Sequence, residues 1–321
     1  MARTAATPTP ATRRRGGLLR QEALYGYLFL LPWIIGFVVF VAGPMLAAFY
    51  LSLARYSLGV KPPEFIGLDN FARALTLQDP LFLPSILRSV QWAISYVPLA
   101  IAGSLLTAVL LNQGLKGTTV FRTIFFMPHL TPIVASIFVW QWLLHPRYGF
   151  VNEVIWQVTY NLTGTGVEGP GWFGSKEWAM PALVLVALWA AIGGNGMLIF
   201  LAGLQGVPKE LYEVAELDGA NVVQRFRHVT LPMISPTIFF NLVLGIIGAL
   251  QSFANSFIAT GGGPAYATWF YALHIYATAF QFGEMGYASA LAVIFFVVLV
   301  ALTYFNFKLS SRWVHYAGEV K

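Results

Sequence analysis

The chain has 321 residues, of which 57% are hydrophobic and 10% are charged, and its formal net charge at pH 7 is +6. Soluble proteins carry about 25% charged residues, so this composition excludes an ordinary soluble domain. The sequence has no cysteine, which removes disulfides, thiolate metal sites and cysteine nucleophiles from consideration.

Six long stretches of the chain contain no Asp, Glu, Lys or Arg. In chain order they hold 32, 27, 24, 31, 56 and 23 residues. A helix needs about 20 apolar residues to cross the hydrocarbon core of a bilayer, so each stretch is long enough for a span. The sequence therefore predicts an all-α membrane protein with six transmembrane helices, near residues 25–51, 87–112, 119–144, 179–204, 233–259 and 286–308.

The 56-residue stretch is long enough for two spans. Its second half, residues 265–283, follows Gly261-Gly262-Gly263-Pro264 and is rich in Trp, Tyr and Phe. Aromatic side chains with polar edges favour the membrane–water boundary, so we predict an interfacial or re-entrant helix here. A seventh span would also move the basic C-terminal tail to the other side of the membrane.

The basic residues predict the orientation. Six spans place 13 of the 19 Lys and Arg residues on the side of the N-terminus, including Arg13-Arg14-Arg15. Cytoplasmic loops carry the basic excess, so both termini are predicted to be cytoplasmic, and nucleic acid is not needed to explain the net charge. Residues 1–20 are predicted to be a disordered basic cytoplasmic leader, and residues 21–321 a single transmembrane domain. A twin-arginine export signal is disfavoured because the following apolar stretch is too long.

Proline interrupts several of the predicted helices, at Pro98, at Pro128 with Pro132, and at Pro232 with Pro236. Backbone groups freed by such breaks must find other partners, so broken helices tend to line cavities. A simple kink is the alternative at each position, since proline is frequent in membrane helices.

A polar, charge-bearing island, Glu210–Pro232, lies between two predicted spans, inside the loop 205–232. Pro208 suits the first position of a helix, and Leu211, Val214 and Ala215 have the spacing of one apolar face. Asp218-Gly219 is expected to end that helix.

Asn221 is expected to cap a second short helix that carries Arg225, Arg227 and His228. An apolar ridge rimmed by acidic residues is typical of a helix that docks into a groove of a partner. A plain connection between two spans remains the alternative.

The same island resembles the EAA motif of the inner-membrane permease subunits of binding-protein-dependent ABC importers. Glu213-Val214-Ala215 is followed after three residues by Gly219, and after nine more by Val229-Thr230-Leu231-Pro232. The family pattern is Glu-Ala-Ala, three residues, Gly, nine residues, Ile-x-Leu-Pro. Val214 and Val229 depart from it by mild apolar exchanges.

Further segments resemble the carbohydrate-uptake branch of that family, of the maltose and glycerol-3-phosphate permease type, and its first paired permease in particular. They are Leu30-Leu31-Pro32-Trp33, Phe121-Arg122-Thr123-Ile124, Met127-Pro128, Gly261-Gly262-Gly263-Pro264 and Gly286-Tyr287-Ala288-Ser289-Ala290.

The resemblance implies an ABC type I importer-like fold in the cytoplasmic (inner) membrane of a prokaryote. It also implies four kinds of partner: a second permease, two ATP-binding subunits, an extracytoplasmic sugar-binding protein and membrane lipid. In that family the loop helix sits in a cleft of the ATPase subunit, which assigns ATPase coupling to Glu213, Ala215, Leu217, Asp218, Gly219, Leu231 and Pro232.

Uncharged amides and hydroxyls within the spans are candidates for a solute path, because they both donate to and accept from sugar hydroxyls. We predict this role for Asn195, Gln251, Ser252 and Asn255, with Asn241 nearby and Trp189 or Tyr271 as stacking surfaces. The alternative is that such amides tie helices together. His129, His145 and His274 have no metal-ligand spacing and are expected to be structural, so no metal site is predicted.

Other function classes fit the sequence less well. An ion-coupled secondary transporter of a polar solute is the alternative, but such proteins usually carry charged residues within their spans. Neither a G-x-S-x-G elbow nor an H-E-x-x-H motif is present, so no catalytic residue is predicted. A purely structural scaffold is also disfavoured, because it would not need polar residues within the spans. The chain also lacks a G-x-x-x-x-G-K-[ST] loop. We therefore predict the transmembrane subunit of an ATP-driven sugar importer without a cofactor of its own, whose ATP and Mg²⁺ are bound by the partner ATPase.

Overall fold

The computed structural model describes residues 15–59, 62–114 and 116–315. The first long helix of the chain runs almost without interruption to the first loop. It consists of α1 (Arg15–Phe37), a π-helical segment (Val38–Ala42) and α2 (Gly43–Ser52). Two short antiparallel strands follow, β1 (Ala54–Arg55) and β2 (Glu64–Phe65), in which Ala54 pairs with Phe65.

The central part of the chain is helical and contains two sharply bent pairs of helices. Its helices are α3 (Asp69–Leu75), α4 (Phe82–Leu111), α5 (Thr118–Leu130), α6 (Ile133–Leu143), α7 (Phe150–Thr163), α8 (Ala179–Ala191) and α9 (Asn195–Gln205). A turn of 3₁₀ helix, Trp172–Gly174, precedes α8.

The C-terminal part begins with the polar island. Its helices are α10 (Lys209–Leu217), α11 (Val222–Arg225), α12 (Leu231–Met233), α13 (Ser235–Leu250), α14 (Ala254–Thr260), α15 (Tyr271–Tyr276) and α16 (Met285–Ser310). π-helical segments, Phe226–Thr230 and Ala277–Gln281, join α11 to α12 and extend α15.

By length and composition, three helices of the described residues are able to cross a membrane: Arg20–Ser52, Phe82–Leu111 and Met285–Ser310. Three bent pairs raise the number to six if each pair is one span. The bends are 92° between α5 and α6, 47° between α8 and α9, and 66° between Val222–Met233 and Ser235–Leu250. The sequence therefore located the six apolar regions, but half of them are broken helices.

Proline explains the bends only in part. The 92° bend lies at Thr131-Pro132, as expected, whereas Pro98 lies inside the uninterrupted α4. The bend between α8 and α9 contains no proline. It lies at Gly193-Gly194, where a Cβ on Gly193 would overlap the carbonyl oxygen of Phe125 on α5. Glycine is thus required at this break by the close approach of another backbone.

Two predicted boundaries differ from the structure. Helix α1 begins at Arg15, so residues 15–20 of the predicted disordered leader are helical: the helix of the first span continues into them despite the low helix propensity of Gly16 and Gly17, while residues 1–14 lie outside the described residues. The single helix predicted for 233–259 ends at Leu250, and the chain turns through residues 251–253 before α14 starts.

The aromatic segment predicted as an interfacial or re-entrant helix is largely protein interior. Trp269, Phe270 and Tyr271 are each at most 8% exposed. The Phe270 ring lies 5.4 Å from that of Trp92 on α4, and the Tyr271 ring lies 5.9 Å from that of Phe82. Packing within the protein therefore accounts for the aromatics at the centre of this segment, whereas Tyr266, Phe280 and Phe282 nearer its ends are 50%, 60% and 58% exposed.

Two apolar clusters hold the helices together. One joins α4, α6, α8, α13 and α14 through residues such as Trp92, Ile137 and Leu183. The other joins α4, α9 and the start of α13, and Tyr212 of α10 packs against it. The second cluster fixes the polar island relative to the spans.

Candidate functional site

Helix α10 begins immediately after Pro208. The sequence predicted Pro208 at the first helical position. In the structure it occupies the N-cap, one position earlier, with an extended ψ of 134°. Glu210 lies in the first turn, where a negative charge is favourable beside the positive end of the helix dipole.

The end of α10 is a Schellman motif. The backbone N–H of Gly219 donates to the carbonyl oxygen of Glu216 at 3.0 Å, and the N–H of Ala220 donates to that of Ala215 at 2.9 Å. Gly219 has a φ of +79°, a conformation that costs other residues energy. The predicted stop at Asp218-Gly219 is confirmed in position and in geometry.

Asn221 starts the second helix of the island, as predicted. Its Oδ1 accepts from the Gln224 N–H at 2.9 Å, and its own N–H donates to Gln224 Oε1 at 2.8 Å. This reciprocal capping box satisfies two backbone donors that α11 leaves without partners.

Three contacts fix α10 to the rest of the island and to the spans. The Tyr212 hydroxyl lies 2.9 Å from Thr230 Oγ1, and Arg225 Nη1 lies 2.9 Å from Glu216 Oε2. The Tyr212 ring packs against the apolar cluster of α4 and α9. Helix α10 therefore has a defined orientation relative to the helices that lead into and out of it.

The island exposes five large apolar side chains. The side chains that we call the coupling patch are Leu211, Val214, Leu217, Val222 and Val223, which are 40%, 57%, 88%, 71% and 72% exposed. Single exposed apolar residues are ordinary on protein surfaces, but a cluster rimmed by polar residues marks an interaction site. The sequence predicted Leu211 and Val214 in this ridge, and it missed Val222 and Val223 because they follow the capping residue of another helix.

The remaining residues of the EAA-like motif surround this patch. Glu213, Asp218 and Gly219 are exposed, and Ala215 is half-buried. Leu231 and Pro232 are half-buried at the other end of the island. Pro232 does not turn the chain, because the 66° bend follows two residues later, between Met233 and Ser235.

A cavity of about 540 Å³ lies among the broken helices. We call it the central cavity. Its polar lining comes from Tyr96, Ser104, His129, Thr131, Ser136, Asn195, Asn241 and Asn255. The rest of its wall is mostly small or aliphatic, including Gly194, Gly196 and Gly245 at the points where helices approach closely.

The structure brings together part of the predicted solute path. Asn195 and Asn255 line the central cavity, as does Asn241. Ser252 does not line it, but its Oγ accepts from Asn255 Nδ2 at 3.1 Å. Gln251 lies elsewhere, in a groove against α16, because α13 ends at Leu250 and the chain turns there.

Neither aromatic candidate for stacking faces the central cavity. Trp189 lines a separate groove between α4 and α8. Tyr271 is 2% exposed, and its hydroxyl donates to the carbonyl oxygen of Leu291 at 2.9 Å. Its packing leaves no face open to a solute.

Several polar groups of the central cavity are available to a ligand. Asn195 is exposed, and within the described part of the chain its amide has no hydrogen-bonding partner. Ser136 is 6% exposed, and its Oγ lacks a partner among the described residues. A buried hydroxyl without a partner is costly, so it favours a ligand or water in the cavity. The first residues of α6 and α9, Ile133 and Asn195, also line the cavity, and helix N-termini present free N–H donors to it.

Sequence reasoning missed Ser104 and Ser136, and it treated His129, which also lines the cavity, as purely structural. Ser104 shares a helical stripe of α4 with Val97, Ala100 and Ile101, all of which line the cavity. That stripe carries only the hydroxyls of Tyr96 and Ser104 among apolar residues, which is too weak a signal to find without knowing which face of α4 is lined by other helices.

A second polar cluster, outside the cavity, joins the loop before α4 to α15 and α16. Asp79 Oδ2 accepts from His274 Nε2 at 2.8 Å and from the Tyr287 hydroxyl at 3.0 Å. The indole N–H of Trp269 donates to His274 Nδ1 at 3.3 Å, so the imidazole is neutral with its proton on Nε2.

Burial lowers the pKa of His274 and outweighs the Asp79 carboxylate, which acts to raise it. For Asp79 itself, burial acts to raise the pKa, but the Leu81 N–H, His274 and Tyr287 together hold that pKa below its ordinary value. His274 is thus structural, as predicted, although nothing in the sequence around it indicates Asp79 as its partner. Within the described residues, no group of three His, Asp or Glu side chains is placed to hold a metal ion.

A polytopic helical protein with broken spans, a polar cavity among them and a structured polar loop belongs to the class of membrane permeases. The chain is a member of the family described as binding-protein-dependent transport system inner membrane component, whose model matches residues 86–316. It is therefore an inner-membrane transport subunit, and not an enzyme.

Relatives match along most of their length. The chain is 37% identical over 305 residues to the probable ABC transporter permease protein YesP of Bacillus subtilis, covering 94% of this chain and 95% of YesP. It is 32% identical over 283 residues to the trehalose/maltose transport system permease protein MalF of Thermococcus litoralis, covering 88% and 92% of the two chains. It is 33% identical to the sulfoquinovosyl glycerol permease SmoG of Agrobacterium fabrum, covering 88% and 89%.

A solved structure shares the fold. A chain of the bacterial alginate ABC transporter, crystallised in complex with an alginate pentasaccharide-bound periplasmic protein, superimposes with a TM-score of 0.80. The match covers 94% of this chain and 98% of that one at 23% sequence identity. The six-region architecture with its broken helices is thus an ABC importer permease fold.

Proposed function

We propose that the chain forms half of the translocation path of an ATP-driven importer of a sugar or sugar derivative. Relatives that match nearly the whole chain are named for trehalose/maltose and for sulfoquinovosyl glycerol transport. The central cavity supports this proposal, because amides and hydroxyls line it and charged side chains do not. Such groups pair with the hydroxyls of a neutral or weakly charged carbohydrate.

The proposed orientation places both termini, and the polar island, in the cytoplasm. The basic excess on that side supports it. The partners that complete the importer are a second permease, two ATPase subunits that bind ATP and Mg²⁺, and an extracytoplasmic sugar-binding protein.

The coupling patch is the main support for the proposal that the island docks on the ATPase subunit. Helix α10 is capped at its end, fixed through Tyr212 to the spans, and exposes Leu217 with 88% of its surface free. A short apolar ridge on a rigid support has the form of a helix that docks in a groove. ATP-driven closure of the ATPase dimer then displaces α10 and, through Tyr212 and Thr230, the helices that border the central cavity.

Co-purification of the ATPase subunit tests the docking step. Leu217→Asp is expected to abolish it, because an unpaired carboxylate would be buried in the groove. The matched control is Leu162→Asp on α7, where the side chain is 78% exposed and lies on the opposite side in the proposed orientation. Retention of the ATPase by Leu217→Asp, at the level of the control, would refute docking through this patch.

Uptake kinetics test the solute path. Asn195→Ala and Ser136→Ala are expected to change the apparent affinity or the selectivity of uptake while basal ATP hydrolysis stays unchanged. Gln251→Ala is the comparison, since Gln251 lies outside the central cavity. Equal uptake kinetics for all three variants and the wild type would remove the central cavity from the path.

A further inference from the structure

A groove of about 970 Å³ between α4 and α8 is larger than the central cavity. We call it the α4–α8 groove. On α4 it is lined by Arg88, Gln91, Ser95 and Leu99. These residues are spaced by three or four, so they form one stripe on the helix, and their polarity falls steadily from the helix start inward.

The opposite wall has the same gradient. Lys176 and Glu177, which precede α8, border the groove at its polar end. Leu185, Leu188 and Ile192 follow along α8 at the apolar end. The inner end is narrow, because a Cβ on Gly103 of α4 would lie 2.6 Å from Ile192 Cγ1.

The charges at the polar end have no partner of opposite sign within the part of the chain that the structure describes. Arg88 Nη1 donates to the neutral Gln91 Oε1 at 2.7 Å. Among the ion pairs of the described residues, none includes Arg88, Lys176 or Glu177. With two cations and one carboxylate, the rim carries one net positive charge.

The apolar end is open to its surroundings. Leu99 is 52% exposed, Leu185 is 38% exposed and Trp189 is 39% exposed. The Trp189 ring meets that of Trp140 edge-on at 5.9 Å and closes one side. Burial of these side chains by a bound apolar chain is favourable in proportion to the area covered.

We propose that the α4–α8 groove is a binding site for one glycerophospholipid. Its phosphodiester lies between Arg88 and Lys176, which matches the single net charge of the rim. One acyl chain follows Leu99, Leu185 and Leu188 toward Ile192. Basic pockets between transmembrane helices bind lipid head groups by this combination of charge and apolar surface.

The test counts lipids bound to the assembled transporter by native mass spectrometry, after purification with added phosphatidylglycerol. The wild type is expected to retain one phosphatidylglycerol per chain, and Arg88→Gln with Lys176→Gln to lose affinity about five-fold for each cation removed. Arg55→Gln with Arg147→Gln is the matched control, because both arginines are exposed and lie outside the groove. Leu99→Trp, which fills the apolar end, is expected to displace the lipid with both cations in place.

Two further arms separate the possible ligands. Diacylglycerol has the same chains without phosphate and is expected not to be retained, and glycerol phosphate is expected not to compete. Because the chain has no cysteine, Leu185→Cys provides a single site for crosslinking. Efficient crosslinking of Leu185→Cys to the second permease, or equal lipid retention by the Arg88/Lys176 variant and its control, would overturn the proposal.

Discussion

Gly219 offers a graded test of the capped end of α10. Its φ is +79°, and a Cβ built on it would meet nothing within 4 Å. Substitution therefore perturbs the backbone conformation alone, without a steric clash. An L-residue in this conformation costs roughly 1–2 kcal/mol, whereas Asn tolerates it better.

The expected order of coupled activity is Gly, then Asn, then Ala, then Val at position 219. A cost of roughly 1–2 kcal/mol lowers the population of the docking conformation by about 5- to 30-fold. Gly219→Pro is expected to be worst, because proline fixes φ near −65° and removes the N–H that donates to Glu216.

The assay is ATP hydrolysis stimulated by the binding protein, with the transporter reconstituted in liposomes. Insertion and expression are expected to stay normal, since Gly219 contacts no other element. Gly248→Ala is the control, because Gly248 also has open space around it but lies in α13 with a negative φ, where alanine is favourable. Stimulation that is unaffected by Ala or Val at position 219, or that falls equally in Gly248→Ala, would refute the reasoning.

Three further predictions concern other parts of the molecule. Tyr212→Phe removes the hydrogen bond to Thr230, so it is expected to lower the free energy of unfolding by about 1 kcal/mol, measured by thermal unfolding. The same variant is expected to weaken coupling, measured by stimulated ATP hydrolysis. Burial places the pKa of His274 below the unfolded value of 6.5, so the unfolded chain binds the proton first and stability falls as the pH drops below about 6.5. His274→Gln should remove that fall in a pH series of melting temperatures, leaving the loss from Asp79, which occurs at lower pH, around and below its unfolded value of 3.8. Asn241→Ala is expected to weaken sugar uptake at unchanged basal ATP hydrolysis; unchanged uptake would show that Asn241 only braces α13, through its bond to the Thr237 carbonyl.

The sequence predicted those features whose signal is local. Charge-free stretches located the six apolar regions, and the capping residues Asp218, Gly219 and Asn221 located the ends of α10 and the start of α11. Both signals rest on the preference of a residue for an environment or a backbone conformation, which a sequence displays directly.

Features that depend on packing between distant segments were predicted poorly. Gly193, at the break between α8 and α9, must be glycine because α5 approaches it closely, and the pairing of His274 with Asp79 joins residues 195 positions apart. Gln251 and Asn255 share a polar stretch of sequence, yet the turn after α13 places them on different surfaces. Residue type alone indicates neither a turn nor a facing helix at these positions.

Solute uptake by liposomes of defined composition tests the central claim most directly. With the second permease, both ATPase subunits and the binding protein present, sugar is expected to accumulate only when ATP is supplied on the side of the membrane that carries the ATPase subunits. Leu217→Asp is expected to abolish this accumulation. Accumulation by this chain alone on an ion gradient, or ATP-driven uptake that survives loss of the coupling patch, would contradict the account.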